Sequence, residues 1–179
     1  EVTDIHTEGD HVTGVTTASG WTAKADLVAS NADVVHTYSQ LLRGHKRGVK
    51  YGQSLKKKRH SMSLFVIYFG LDIPTPEHLK HHIILLGQRY KDLINEIFGK
   101  GGKLPDDFSL YLHAPSKTDP SMSPEGKSAY YVLAPVPHLG HADLDWDEIG
   151  PAYTQKILNY LEEHAIPDLN KHLEVCHTL

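Results

Sequence analysis

The chain has 179 residues, 40% of them hydrophobic and 22% charged, which allows one ordinary core with a small attached module and excludes a disordered chain. Its formal net charge of −4 is unevenly placed: positions 34–71 carry +8 with no Asp or Glu, which leaves −12 for the remainder. The single Cys excludes an internal disulfide framework and fits a reducing compartment, and the longest apolar run, Leu64 to Leu71, falls far short of the roughly 20 residues a spanning helix needs.

The first thirty residues read as a three-stranded meander, Val2 to Thr7, Val12 to Thr17 and Trp21 to Ser30, joined at Glu8-Gly9-Asp10 and Ala18-Ser19-Gly20, where glycine supplies positive φ. Asn31 and Asp33 are cap residues for a short helix on which Val34, Val35, Tyr38, Leu41 and Leu42 recur at helical spacing. A basic segment punctuated by glycine follows, from Gly44 to Arg59. Ser61 to Leu71 is so nearly continuous in apolar residues that it predicts a central strand buried on both faces. Pro74 and Pro76 interrupt the chain. His82 to Leu86 then reads as a short strand, and Tyr90 to Phe98 as a helix with Leu93, Ile94, Ile97 and Phe98 on one stripe, ended by a Gly/Lys turn at 99–103. Phe108 to His113 and Ala129 to Ala134 are two more strands, separated by a long polar loop from Pro115 to Gly126. Pro151 suits the first turn of a helix that runs to His164 with Ile157, Leu158 and Leu161 buried, stopped by Pro167. An apolar-polar alternation precedes His177-Thr178-Leu179. Mixed strands and helices with uneven connections predict an α+β fold built on a mixed sheet. The start at Glu1 without Met, directly in a strand, reads as an excision from a longer protein, and no signal-peptide pattern is present.

Fourteen histidines raise the question of a metal, above all His78, His81 and His82, which helical spacing would cluster. His82, however, opens a strand-like run, and no Cys, Asp or Glu stands at ligand spacing, so no metal site is expected. The run Gly99 to Lys103 lacks the spacing and ending of a phosphate loop, and Gly-x-Gly-x-x-Gly occurs nowhere. Cys176, with His172 and His177 nearby, makes no recognisable nucleophile triad. The basic stretch is open to three readings: a solvated helix end and loop, an anionic lipid surface or a nucleic acid. Aromatic density on the central strands, at Phe65, Tyr68, Phe69, Tyr111, Tyr130 and Tyr131, is open to two, a filled core or the wall of a long apolar slot.

Val28-Ala29-Ser30-Asn31-Ala32-Asp33-Val34-Val35-His36-Thr37-Tyr38 resembles the flavin-dependent bacterial phytoene desaturases. The resemblance continues through Ser63 to Leu71, Asp107 to Pro115, Ser123-Pro124-Glu125-Gly126, Tyr131 to Gly140 and Leu144-Asp145-Trp146. It implies an oxidoreductase of carotenoid biosynthesis that desaturates phytoene stepwise toward lycopene with FAD as electron acceptor, peripherally attached to a membrane on the cytoplasmic side. It further implies that residues 1–33 are a partial, Rossmann-type FAD-binding domain and residues 34–179 an incomplete substrate domain. Under that resemblance Val2, Asn31 and Ala32 meet the cofactor, and Phe65, Tyr68, Tyr111 and Tyr130 meet the substrate. Lys46, Arg47, Lys56, Lys57, Lys58 and Arg59 meet the membrane, and no nucleic acid is expected. The Gly-rich flavin motif and the segment that closes over the flavin are both missing, so the chain alone is expected neither to hold FAD tightly nor to desaturate. Catalytic residues and oligomeric state stay open. A related carotenoid or retinoid oxidoreductase and a non-catalytic lipid-surface module are the alternatives.

Overall fold

In the computed structural model, which describes residues 1–99, 104 and 107–179, Gly9 and Gly20 adopt φ of +61° and +82° and close the two predicted turns. They join β1 (Val2–Glu8), β2 (His11–Thr17) and β3 (Thr22–Lys24) into an antiparallel sheet of order β1-β2-β3. β3 is much shorter than the predicted run to Ser30. Beyond one further bond, Ala25 N–H to Thr13 O, that run finds no partner strand, and Leu27 stands 86% exposed. Extended propensity does not make a strand once the chain leaves its neighbouring edge.

Asp33 caps α1 (Val34–His36) as predicted, its carboxylate accepting from the His36 N–H at 2.8 Å, and the chain winds on as a π-helical turn through Leu41. The basic segment, which sequence left without an assigned element, is largely helical: α2 spans Lys46–Leu55. Glycine in a helix interior costs about 1 kcal/mol, but here it permits close approach. Gly48 and Gly52 are both buried, one turn apart. A Cβ on Gly48 would lie 3.2 Å from Leu42 Cβ, and one on Gly52 3.1 Å from the Ser39 nitrogen. These helices and the meander form one compact unit, residues 1–60, with Ile5 and Leu41 buried.

Residues 61–179 form the second unit, around an antiparallel sheet of order β5-β6-β7-β4-β8. Its strands are β4 (Ser63–Leu71), β5 (His82–Leu85), β6 (Leu110–His113), β7 (Ser128–Val136) and β8 (Leu173–Thr178). Its helices are α3 (Tyr90–Phe98), α4 (Trp146–His164) and α5 (Leu169–His172). β4 is internal, as predicted, but it is not buried on both faces. Phe65, Ile67, Phe69 and Leu71 are buried, whereas Leu64 and Tyr68 are 46% and 44% exposed. The period of two decides this: helices cover only the side reached by odd-numbered β4 residues. On that side the core joins Leu110 and Leu112 of β6 and Tyr130 to Val136 of β7 to Tyr153, Ile157, Leu158 and Leu161 of α4. Phe65 stacks on Trp146 at 5.1 Å and meets Tyr153 edge-on.

α4 begins five residues before Pro151. Asp145 is the true cap, its carboxylate accepting from the N–H groups of Asp147 and Glu148, and Pro151 lies inside the helix. Of the predicted α3 stripe, Leu93 and Ile97 are buried but Phe98 is 51% exposed. The loop from Pro115 to Gly126 holds two short 3-10 turns, and Lys117 ties it down by donating to the carbonyls of Pro76 and Glu77. The Gly/Lys run after Gly99 lies outside the described residues.

Candidate functional site

The open face of the five-stranded sheet is where exposed aromatic residues gather. Strand register aligns them: His82 opposes His113, His113 opposes Tyr131, Tyr131 opposes Tyr68 and Tyr68 opposes His177. Five rings therefore form one row across all five strands. Four inter-strand steps of about 4.8 Å make that row roughly 19 Å long. A parallel row runs Ile84, Tyr111, Leu133 and Val66. Ring centroids along the face are 4.5 Å apart for His113–Tyr131, 5.8 Å for Tyr68–Tyr131 and 5.9 Å for Tyr111–Tyr131. Among these groups the described residues place no carboxylate, so the face offers rings, aliphatic carbon and a few hydroxyl and imidazole tips.

The surroundings shift two of these groups, His113 and Tyr131, toward their neutral forms. Burial, followed by repulsion from His81 and His82, lowers the His113 pKa, while burial and the neighbouring Tyr111 hydroxyl raise that of the Tyr131 phenol. At one end of the row Tyr68, Gly70, Met122, Pro124, Ala129 and Val175 line a largely apolar pocket of about 320 Å³. At the other end His81 Nε2 approaches His113 Nε2 to 2.6 Å and His82 Nδ1 lies 2.7 Å from the Tyr111 hydroxyl.

The four expected substrate residues separate into two pairs. Tyr68 and Tyr111 lie on the open face. Phe65 and Tyr130, 5% and 3% exposed, point to the helix-covered side and belong to the core, where Tyr130 stacks on Phe69 at 5.0 Å. Val66, Leu133 and His113 share the open face without having been named for the substrate, and so does Tyr131, which sequence placed only among the aromatic residues of the central strands. The missing signal was strand register: an aromatic pair at 130 and 131 sends one ring to each side, and only the pairing of Tyr131 with Tyr68 says which.

In the first unit, Val2, Asn31 and Ala32 do come together, around a pocket of about 300 Å³ that Ile5, Val15 and Leu41 floor with apolar carbon. The cations Lys46, Arg47, Lys56, Lys57, Lys58 and Arg59 are all exposed on α2 and the turn after it, and Arg47 pairs with Asp10 at 2.8 Å. No helix among the described residues is long and apolar enough to cross a membrane. Of the three histidines weighed and set aside as a metal group, His78, His81 and His82, only the last two lie together. His78 Nε2 lies 2.9 Å from the Ala165 carbonyl, and His113 takes its place beside His81 and His82.

No family model matches the chain. It is 56% identical to a lycopene-forming phytoene desaturase of Paracoccus sp., over 97% of this chain and 34% of that protein. It is 44% identical to a neurosporene-forming phytoene desaturase of Cereibacter sphaeroides, over 97% of this chain and 34% of the other. A zeta-carotene-forming phytoene desaturase of Myxococcus xanthus is 38% identical over 96% of this chain and 32% of its own. Among solved structures, an oxidoreductase from Methanosarcina mazei shares the fold with a TM-score of 0.51 at 16% identity, over 99% of this chain and 36% of that one. Across 97% of its length the chain is thus homologous to the phytoene desaturases, over a segment that makes up about a third of theirs.

Proposed function

We propose that this chain forms the polyene-facing wall of an FAD-dependent desaturase that converts phytoene stepwise toward lycopene. The observation that carries the reading is the 56% identity to a lycopene-forming relative across nearly the whole chain, and the ring-lined open sheet face fits it. Phytoene is a long uncharged hydrocarbon, so it can be held only by apolar area and ring contact, at about 25 cal/mol per Å² buried. The open face supplies both. Tyr68, Tyr111 and Tyr131 orient the chain of the substrate, exclude water from it and place ring faces where positive charge develops, worth roughly 0.5–2 kcal/mol per ring.

FAD, when bound, supplies the hydride acceptor. The pocket at Val2, Asn31 and Ala32 fits one apolar end of such a dinucleotide, and this chain holds no Gly-rich cradle for the pyrophosphate. The exposed cations of α2 and the following turn face an anionic lipid surface, from which a lipid-soluble substrate would enter. The test is to express the complete natural reading frame containing this chain in phytoene-accumulating cells and record the absorption spectrum of extracted pigment. A three-peaked visible polyene spectrum is expected, and its wavelength reports the number of new double bonds. Colourless phytoene alongside folded protein would overturn the reading.

A further inference from the structure

We infer that His81, His82 and His113 form a binding site for a zinc-class divalent cation at the β5–β6 edge of the second unit. One ring nitrogen from each histidine lies within 4.8 Å of the other two. Backbone pairing fixes all three: His82 and His113 are direct cross-strand partners, and the His81 carbonyl accepts from the Ala114 N–H at 2.9 Å. The closest pair is His81 Nε2 and His113 Nε2, at 2.6 Å. Two imidazole lone pairs cannot face each other at that separation, nor can two N–H groups, so the pair needs one positive centre between its nitrogens. A shared proton meets that need, and so does a metal ion. With metal–nitrogen bonds of about 2.05 Å, a tetrahedral ion would set the two nitrogens about 3.3 Å apart, so a ring movement of less than about 1 Å makes room.

Two of the three rings, His81 and His82, have neighbours of the kind that orient ligating histidines. His81 Nδ1 lies against Thr118 Oγ1, whose own hydroxyl donates to the Pro115 carbonyl, so the His81 Nδ1–H donates outward and Nε2 keeps its lone pair. His82 is held by the Tyr111 hydroxyl. Three imidazoles with no thiolate or carboxylate in the group select borderline cations of the Zn²⁺, Co²⁺ and Cu²⁺ class over Mg²⁺ or Ca²⁺. Bound there, the ion ties the start of β5 to the end of β6 and, through Thr118, to the loop that overhangs the open face. The site stands whether or not the chain handles a polyene.

The whole 179-residue chain, stripped with chelator, is titrated with Co²⁺ while visible absorption is recorded, and then with Zn²⁺. One equivalent of Co²⁺ giving intense tetrahedral bands, displaced by Zn²⁺, is expected. Those bands are lost or binding weakens at least tenfold in His81→Gln and in His113→Gln, and they persist in His164→Gln, a histidine far from the group in sequence. His81 precedes the strand, so His81→Gln reads out ligation without disturbing the ladder, and a far-UV circular dichroism spectrum matching wild type confirms this. Absence of tetrahedral bands in wild type, or bands of equal intensity and affinity in folded His81→Gln, would overturn the site.

Discussion

Tyr68 and Phe69 are neighbours in sequence and opposites in environment, 44% and 3% exposed, because consecutive residues of a strand alternate between faces. The same parity divides Tyr130 from Tyr131, and it explains why residue type alone selected Phe65 and Tyr130 for the substrate. Both are core groups, whose removal leaves a cavity. Phe65→Ala is expected to cost about 3–5 kcal/mol in urea unfolding, and Tyr68→Ala less than about 1 kcal/mol. Equal costs would mean that the two faces are not distinguished as described. The pairing of His81 with His113 was equally hidden, since the two stand 32 residues apart and meet only once β5 is set against β6.

At the scale of elements, local chemistry was readable wherever it was self-contained. Gly9 and Gly20 announced their turns, Asp33 its cap and the Leu93/Ile97 repeat its helix. Elements defined by a distant partner were not. α2 exists because Gly48 and Gly52 let it lie against the turn at Tyr38 to Leu42, and a sequence reading sees only two helix-weakening residues. β3 is short because the chain leaves the β2 edge after Ala25, although β2 itself continues back to His11. Gly14 illustrates the same dependence: a Cβ there would fall 2.3 Å from the Ala23 carbonyl oxygen, across the β2–β3 pairing. Gly14→Ala is therefore expected to push β3 off the sheet and to speed proteolytic cleavage within residues 1–60 several-fold, with the second unit still resistant. Unchanged protection of the first unit would show that β3 is not held as described.

For the whole molecule, the charge pattern seen in the composition becomes a located surface. The cations from Lys46 to Arg59 sit on one exposed helix and the turn after it, while the acidic residues are spread over the rest of the chain. With each Lys worth about 1 kcal/mol near anionic lipid, reversing Lys56, Lys57 and Lys58 together to Glu should abolish co-sedimentation with phosphatidylglycerol vesicles and make no difference with phosphatidylcholine vesicles. Undiminished sedimentation of the variant would remove the membrane role. The central claim concerns the other surface, the ring-lined open face of the five-stranded sheet, and photocrosslinking tests it most directly. The photoreactive residue p-benzoylphenylalanine replaces Tyr68 on the open face or, as control, Glu163 on α4, in the complete protein made by phytoene-accumulating cells. Irradiation followed by peptide mass spectrometry should give an adduct of phytoene mass at position 68 and none at 163. No adduct at 68, or one at 163 alone, would contradict the assignment of that face to the polyene.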